Sequence, residues 1–290
     1  MTWPDRPRVL LSYAYAAKYD LAAYPDAEVV IDSGAFTAHT SGKAVDHHAY
    51  LRWLAQHAGR VRFAFSLDVI GDPVASMKNY LTAVDAVGDR VRIVPTWHIG
   101  TDFAVLDELT RATDYVAIGG AVPYASRQKV LMRQFVAAHR IARDNGARLH
   151  GLGVSGSGAV RRLPWASVDS SSWTIPQRRP VAYLATRGGV MRSLTYGQPV
   201  SKADAGLARV YGLDPAAMSR YGYSSAKHVG TDTARARQVA GAVAACRSYM
   251  HVESVVTTHV PHFRLYLAAQ PRDRVPFTAH AAGSPFAGSS

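Results

Sequence analysis

The feature that most constrains the fold is a series of short apolar runs that recurs through the first 190 residues. The runs are rich in β-branched and aliphatic residues, which is typical of strands buried on both faces of a parallel sheet. Segments with the apolar spacing of helices separate them. The runs are Arg8–Tyr15, Glu28–Phe36, Arg62–Ile70, Arg92–Gly100, Tyr115–Val122, Arg148–Ser155, Trp165–Trp173 and Val181–Gly188.

Eight such runs alternating with helices predict an α/β fold, a (β/α)8 TIM barrel rather than an open sheet. The predicted helices include Ala44–Ala58, Pro73–Val87, Phe103–Ala112 and Arg127–Asn145. The last of them is followed by Gly146, and Asn-Gly is a common helix terminator. The crossover after the seventh run is short and contains Pro176 and Pro180. We therefore expect the seventh helix to be missing or degenerate.

The pattern changes after residue 190, which predicts a barrel core over 1–190 and a basic, mainly helical extension over 191–290. Lys202–Val210 and Thr231–His251 have helical character, and Val255–Thr258 could be a short strand. Thr278–Ser290 is rich in Gly, Ala and Ser, so we expect a frayed, flexible tail there.

The charge balance favours a polyanionic partner. Lys and Arg number 33 against 21 Asp and Glu, a formal net charge of +12. Residues 1–189 hold 22 basic and 16 acidic residues, and residues 190–290 hold 11 and 5, so both parts carry +6. Because each neutralised phosphate releases counterions, an excess of this size favours nucleic acid. The alternative is a soluble protein that is simply basic.

The denser charge of the C-terminal part points to it as a section of the nucleic-acid surface. Its tyrosines, interleaved with Arg and Lys, could stack on bases. An ordinary helical appendage with tyrosines in its core is the alternative. These tyrosines are Tyr196, Tyr211, Tyr221, Tyr223 and Tyr249.

Several classes of protein are disfavoured. No stretch approaches the roughly 18 apolar residues of a membrane helix, and the N-terminus does not resemble a secretory signal. The single cysteine, Cys246, excludes an intrachain disulfide and a Cys-rich metal cluster. His259 and His262 have no thiol or acidic residue nearby, so a zinc site there is disfavoured. We expect a soluble, cytoplasmic protein without a membrane contact, located in the bacterial host cell if a phage encodes it.

Polar residues follow several of the predicted strands at the point where each ends. Because a barrel binds substrate at the C-terminal ends of its strands, these side chains should converge on one mouth. Clustered carboxylates are costly unless they do chemistry or bind cations. His98 and His150 are expected at the mouth or its rim, and Gly119-Gly120 could allow close approach of a flat ligand. Gly151–Gly158 is a weak candidate for a phosphate loop, since it matches neither nucleotide-binding fingerprint. The strand-end groups are Asp32-Ser33-Gly34-Ala35-Phe36, Asp68, His98, Gly119-Gly120 and Asp169.

These motifs resemble the tRNA-guanine transglycosylase superfamily in order and spacing. Four longer segments are similar in sequence to one branch of this superfamily, the DNA-guanine transglycosylases, which place 7-deazaguanine bases into phage and bacterial DNA. The segments are Ile31–Thr37, Leu67–Pro73, His150–Gly153 and Ser167–Trp173. The resemblance covers about residues 8–190. It implies a base exchange that uses no cofactor and no catalytic metal.

The resemblance also implies a role for each matching residue. Asp169 corresponds to the nucleophile that attacks C1′, and Asp32 to the carboxylate that moves protons on the leaving and entering bases. Asp68 corresponds to the base-recognition aspartate. Gly119 and Gly120 correspond to the glycine pair whose backbone contacts the base. Further substrate contacts are expected from Ser33, Gly34, Phe36, His98 and His150.

The implied substrates are guanine in DNA, flipped out or single-stranded, and a free 7-deazaguanine, with 7-cyano-7-deazaguanine as the usual donor. One departure bears on the polymer: the bacterial and eukaryotic tRNA enzymes hold a structural zinc with three cysteines and a histidine, and this chain has one cysteine. Three alternatives stay open. They are a tRNA enzyme without zinc, a small-molecule TIM-barrel enzyme with a metal on the three aspartates, and a non-catalytic nucleic-acid-binding barrel.

Overall fold

A computed structural model describes residues 3–18, 20–124, 126–220, 232–269 and 275–287. Within these residues the strands are β1 Arg8–Ser12, β2 Glu28–Asp32, β3 Phe63–Phe65, β4 Ile93–Val94, β5 Thr96–His98, β6 Tyr115–Gly119, β7 Arg148–Gly151, β8 Ser167–Ser170, β9 Val181–Ala185, β10 Met191–Thr195 and β11 Arg264–Ala269. The α-helices are α1 Ala35–Ser41, α2 His47–His57, α3 Pro73–Val87, α4 Phe103–Ala112, α5 Gln128–Asp144, α6 Ser157–Arg162, α7 Lys202–Val210, α8 Pro215–Arg220, α9 Asp232–Val256 and α10 Val275–Ala281.

The barrel closes through a strand that Pro95 divides in two. β4 pairs with β3 and β5 pairs with β6, and between β3 and β6 the order is β2, β1, β11, β8, β7. All of these pairings are parallel. Proline cannot donate to the ladder, but the Pro95 carbonyl accepts from the Ala117 N–H at 2.8 Å. Because one residue separates β4 from β5, the ends of the sheet meet, and the predicted α/β TIM-like barrel is confirmed.

The strand between β1 and β8 comes from near the end of the chain. β11 pairs with β1 on one side and with β8 on the other. The predicted eighth strand, Val181–Gly188, is therefore wrong. Its first part is β9, which pairs antiparallel with β10 in a separate hairpin around Gly189, whose φ is +73°. The predicted strand Val255–Thr258 is also wrong, since α9 runs to Val256 and a turn follows.

The connection from β8 to β11 is long and contains most of the segment predicted as an extension. A 3-10 helix over Ser172–Gln177 occupies the place of the seventh helix that was expected to be missing or degenerate. The hairpin, α7, α8 and α9 follow before the chain returns to the barrel. The barrel sheet thus uses residues on both sides of the boundary predicted at residue 190.

The C-terminal residues that the structure describes pack against the N-terminal segment. α10 includes the first residues of the predicted tail, up to Ala281, so those are helical, while the flexibility of the rest stays a prediction. The Trp3 indole N–H donates to the His280 carbonyl at 3.2 Å, and His280 Nε2 lies 2.9 Å from the Pro4 carbonyl oxygen. These two contacts hold α10 at the start of the chain.

The helices begin where the sequence offers a cap. The side chains of Asp46 and Asp72 accept from the N–H groups of Ala49 and Ala75 at 2.9 Å, which starts α2 and α3. α5 ends before Asn145, and Gly146 has a φ of +71°, as the Asn-Gly terminator predicts. The boundaries predicted for α3 and α4 are confirmed.

The core has two main layers. Side chains that point into the barrel form one cluster, and a larger cluster lies between the sheet and the helices. At the N-terminal end of the strands, the buried carboxylate of Glu253 on α9 accepts from Arg8 Nη1 at 2.7 Å and from the Leu265 N–H at 3.1 Å. α9 is thereby tied to both β1 and β11. Among the described residues, no helix has the length and apolarity needed to span a bilayer.

Candidate active site

Three aspartates lie at the C-terminal mouth of the barrel. Asp32 ends β2, Asp68 follows β3 by three residues, and Asp169 lies in β8. Since parallel strands all end at the same rim, the topology brings the three together. Both Asp68 and Asp169 raise the pKa of Asp32, so the carboxylates are near enough to interact.

The surroundings of Asp32 disfavour ionisation of its carboxyl group. Burial raises its pKa to about 6, and the negative charge of Asp68 adds to that rise. Hydrogen bonds from the Ser12 side chain and from the Gly34 N–H, which lies 3.0 Å from Oδ2, oppose the shift. A carboxyl with such a pKa can both give and take a proton near neutral pH.

The loop after β2 needs glycine at residue 34. Its φ is +83°, and a Cβ there would lie 2.9 Å from the backbone nitrogen of Ala14. The preceding Ser33 is fully buried, and its hydroxyl donates to Asp68 Oδ1 at 3.4 Å. Ser33 and Gly34 therefore hold two of the carboxylates in place from one loop.

Asp68 forms a close pair with His98. His98 Nε2 lies 2.6 Å from Asp68 Oδ2, and both side chains are only slightly exposed. A Cβ on Gly119 would lie 3.4 Å from His98 Nε2 and 3.2 Å from Thr96 Cγ2. Gly120 has a φ of +74° and packs against the backbone of Ile99. The glycine pair therefore leaves room for the imidazole that meets Asp68.

Asp169 is held by donors on neighbouring strands. The Gly153 N–H donates to its Oδ1 at 2.8 Å, and His150 Nε2 lies 3.3 Å from the same oxygen. His150 is fully buried, and its Nδ1 makes a short contact with Ser167 Oγ. Ser167 Oγ also contacts the hydroxyl of Tyr115. Four polar side chains from β6, β7 and β8 thus form one line that ends at Asp169.

The line has a consistent assignment of protons. A carboxylate only accepts, so His150 donates to Asp169 through Nε2. Ser167 then donates to Nδ1 and accepts from the Tyr115 hydroxyl, a group whose pKa burial raises to about 12. Every donor in this assignment points along the line toward Asp169. Both protein contacts are to Oδ1, so Oδ2 is the oxygen that we assign to face a substrate.

Large apolar side chains are exposed on the loops around the mouth. Phe36, in the first turn of α1, is 59% exposed, and Val122, after β6, is 69% exposed. Val69 and Ile70 are exposed directly after Asp68. A ring and aliphatic groups beside buried carboxylates suit a flat ligand with a polar edge.

The structure brings most of the predicted site residues to the mouth, with Phe36 at its rim. Those at the mouth are Asp32, Ser33, Gly34, Asp68, His98, Gly119, Gly120 and Asp169. His150 was expected at the mouth or its rim. Its ring is fully buried against Phe63, Phe65 and Tyr266, and it reaches the mouth carboxylate of Asp169 from the interior of the barrel.

Sequence reasoning missed the polar groups that support the aspartates. Tyr50 on α2 donates to the Phe65 carbonyl at 2.7 Å, and both Asp32 and Asp68 raise its pKa in addition to the larger effect of burial. Ser12 and Tyr115 had no motif around them, and Ser167 lay in the Ser167–Trp173 motif but had no role assigned to it. Gly153 lay in the candidate phosphate loop, but its N–H serves Asp169.

The C-terminal tyrosines that the structure describes do not form a stacking surface. Tyr211 and Tyr249 are each 4% exposed, and Tyr196 is partly buried. Tyr249 shares hydrogen bonds with Ser155, Ser170 and Ser172. The expected role in binding is therefore wrong for Tyr211 and Tyr249, while Tyr221 and Tyr223 lie outside the described residues.

Within the part of the chain that the structure describes, no three His, Cys, Asp or Glu side chains form a group that could hold a metal ion. The three aspartates are therefore not a ready-made ligand set. Comparisons with protein-family models, curated proteins and solved structures found no match to this chain.

Proposed function

We propose that the protein is a base-exchange transglycosylase that replaces guanine in DNA with a 7-deazaguanine, 7-cyano-7-deazaguanine being the expected donor. The observation that carries the proposal is the contrast between two carboxylates at one mouth. The pKa of Asp32 is raised to about 6, whereas Asp169 accepts from Gly153 and His150. A carboxyl group with a raised pKa suits a proton carrier, and a carboxylate held through one oxygen by two hydrogen bonds suits a nucleophile that attacks through the other.

Asp169 is the nucleophile of the proposed mechanism. Its Oδ2 attacks C1′ of the target nucleoside, the C1′–N9 bond breaks, and the bond pair leaves with guanine. Asp32 protonates the departing base, so that neutral guanine and a glycosyl ester of Asp169 result. A carboxylate suits this step because C1′ develops positive charge as the base departs.

The second half of the exchange reverses the first. Asp32, now ionised, takes a proton from the incoming 7-deazaguanine, whose nitrogen attacks C1′ and displaces Asp169. Two displacements retain the configuration at C1′. Asp68, held by His98 and Ser33, accepts from the polar edge of the base, and Phe36 offers a face for stacking. None of these steps needs a redox cofactor.

A labelled-guanine exchange assay with DNA and tRNA in parallel tests the proposal. We expect label in DNA, a covalent protein–DNA adduct, and loss of both in Asp169→Asn. Asp85→Asn, an exposed residue on α3, is the matched control and should keep full activity. Label in tRNA alone would contradict the choice of polymer. Full exchange by Asp169→Asn would contradict the nucleophile.

A further inference from the structure

The strongest concentration of positive charge lies on the wall of the barrel. Residues 127–162 hold eight Arg and Lys and one acid, Asp144. This window alone accounts for +7 of the net charge of +12. The net charges of residues 1–189 and 190–290 do not show this cluster, because acidic residues elsewhere in 1–189 offset its positive charge.

Half of these cations line one groove. The groove lies between α5 and α6 and has a volume of about 760 Å³. Lys129, Arg133 and Arg140 line it from α5, and Arg162 lines it from α6. All four are exposed, and none forms an ion pair with another residue that the structure describes. Met132, Val136 and Ala159 supply an apolar floor.

The spacing of these cations suits an extended polyanion. Residues 129, 133 and 140 recur at intervals of four and seven on α5, which places them along one helix face. From Lys129 to Arg140 the helix rises by about 16 Å. That length covers several phosphates of a nucleic-acid strand, each of which one guanidinium can bind through two hydrogen bonds.

One end of the groove lies on the side of the barrel where the aspartates are. α5 and α6 both begin at the C-terminal ends of strands, and Gly156 and Gly158 line the upper end of the groove. The same loop contains Gly153, whose N–H donates to Asp169. We therefore expect a strand bound at the mouth to continue past this loop toward the groove.

We infer that this groove binds the phosphate backbone of the DNA strand on one side of the target nucleotide. The inference rests on the proposed function for its choice of DNA. It differs from the sequence-based expectation, which assigned the polyanion surface to residues 191–290. The contacts are to phosphates, so they position the strand without reading its bases.

Binding of a fluorescent 30-nucleotide DNA, single- or double-stranded, to the full-length protein over a range of salt tests the inference. Each phosphate contact contributes about 0.7 to 0.9 to the slope of log K against log salt. The variant R133Q/R140Q/R162Q should lower that slope by about 2 and weaken binding on the order of 100-fold at 0.1 M salt. The control R62Q/R90Q/R111Q removes the same charge from exposed arginines near the N-terminal ends of strands, and should bind like wild type.

An unchanged slope in the groove variant, or an equal loss in the control, would overturn the inference. A loss of binding to RNA but not to DNA would overturn the assignment of the strand. The outcome is separable from that of the proposed function. If Asp169→Asn still binds DNA through the groove but wild type exchanges no base, only the proposed function fails. If wild type exchanges guanine and the groove variant binds DNA normally, only the inference about the groove is contradicted.

Discussion

Asp32 illustrates how a single residue can weaken the fold for the sake of chemistry. Asp32 is the last residue of the buried strand β2, and the carboxyl groups of Asp68 and Asp169 lie near its own. Between pH about 4 and about 6 the folded protein holds a proton on Asp32 that the unfolded chain has lost. The free energy of unfolding therefore falls as pH rises through that interval, and stays lower above it.

Replacement of Asp32 by Asn should remove this fall in the free energy of unfolding, because an amide does not ionise. We expect Asp32→Asn to raise the free energy of unfolding at pH 7 by up to about 3 kcal/mol, since one pKa unit corresponds to about 1.4 kcal/mol. At pH 4 the variant and wild type should be nearly equal, and base exchange should be lost. Urea unfolding at both pH values measures the difference. A stability gain of the same size at pH 4 would contradict the pKa argument.

At the scale of elements, three adjacent strands cooperate at Asp169. β6 contributes Tyr115, β7 contributes His150, and β8 contributes both Ser167 and Asp169. In a parallel barrel, residues of equal register on adjacent strands face the same interior layer. The arrangement therefore needs no loop, and it positions the carboxylate on the rigid part of the fold.

Ser167→Ala should break this arrangement. The variant leaves Tyr115 and His150 without a common partner, which should cost about 1–3 kcal/mol of stability. We also expect kcat to fall about tenfold with little change in KM, because Asp169 loses an oriented neighbour. Ser167→Thr, which keeps the hydroxyl, should restore kcat.

Thr110→Ala is the matched control for this variant. Thr110 is a buried hydroxyl on α4 that donates to the Leu106 carbonyl at 2.9 Å, and it makes no hydrogen bond to Tyr115, His150, Ser167 or Asp169 among the described residues. It should lose stability and keep kcat. A similar fall of kcat in both variants would reduce the role of Ser167 to general stability.

Features that depend on residues close together in the sequence were predicted better than features that depend on distant residues. Local signals, such as the apolar spacing of Pro73–Val87 and Asn145-Gly146 after α5, predicted the helices well. Seven of the eight predicted runs contain the barrel strands from β1 to β8. The strand-end rule also located Asp32, Asp68 and Asp169, since a parallel barrel fixes which ends meet.

Non-local choices could not be predicted in the same way. Nothing in Val181–Ala185 shows that it pairs with Met191–Thr195 instead of β8, although Gly188-Gly189 is a turn signal. Side chains alternate along a strand between the barrel interior and the helix layer. The short, mostly apolar run around His150 does not show on which of the two sides its ring lies. The groove was not predicted, because only the folded barrel brings Arg162 of α6 beside the three cations that α5 carries on one face.

At the scale of the whole molecule, the barrel depends on its last strand. Truncation after residue 190 removes β11 and α9, and with them the strand between β1 and β8 and the Glu253 carboxylate that accepts from buried Arg8. We expect the fragment 1–190 to lack cooperative unfolding, because two strand edges lose their shared neighbour and a buried guanidinium loses one of its acceptors. Circular dichroism during thermal unfolding measures this. Addition of the fragment 191–290 should restore cooperativity, and a sharp transition in 1–190 alone would contradict the prediction.

The late position of β11 has a consequence for biosynthesis. While the ribosome makes the chain, β1 and β8 emerge before their shared neighbour β11, which is translated only after the hairpin, α7, α8 and α9. During that interval the nascent barrel is an open sheet with two unpaired edges, a form that invites association with other chains. Slow translation of the C-terminal third, or its loss by premature termination, should therefore increase the demand for chaperones that shield strand edges.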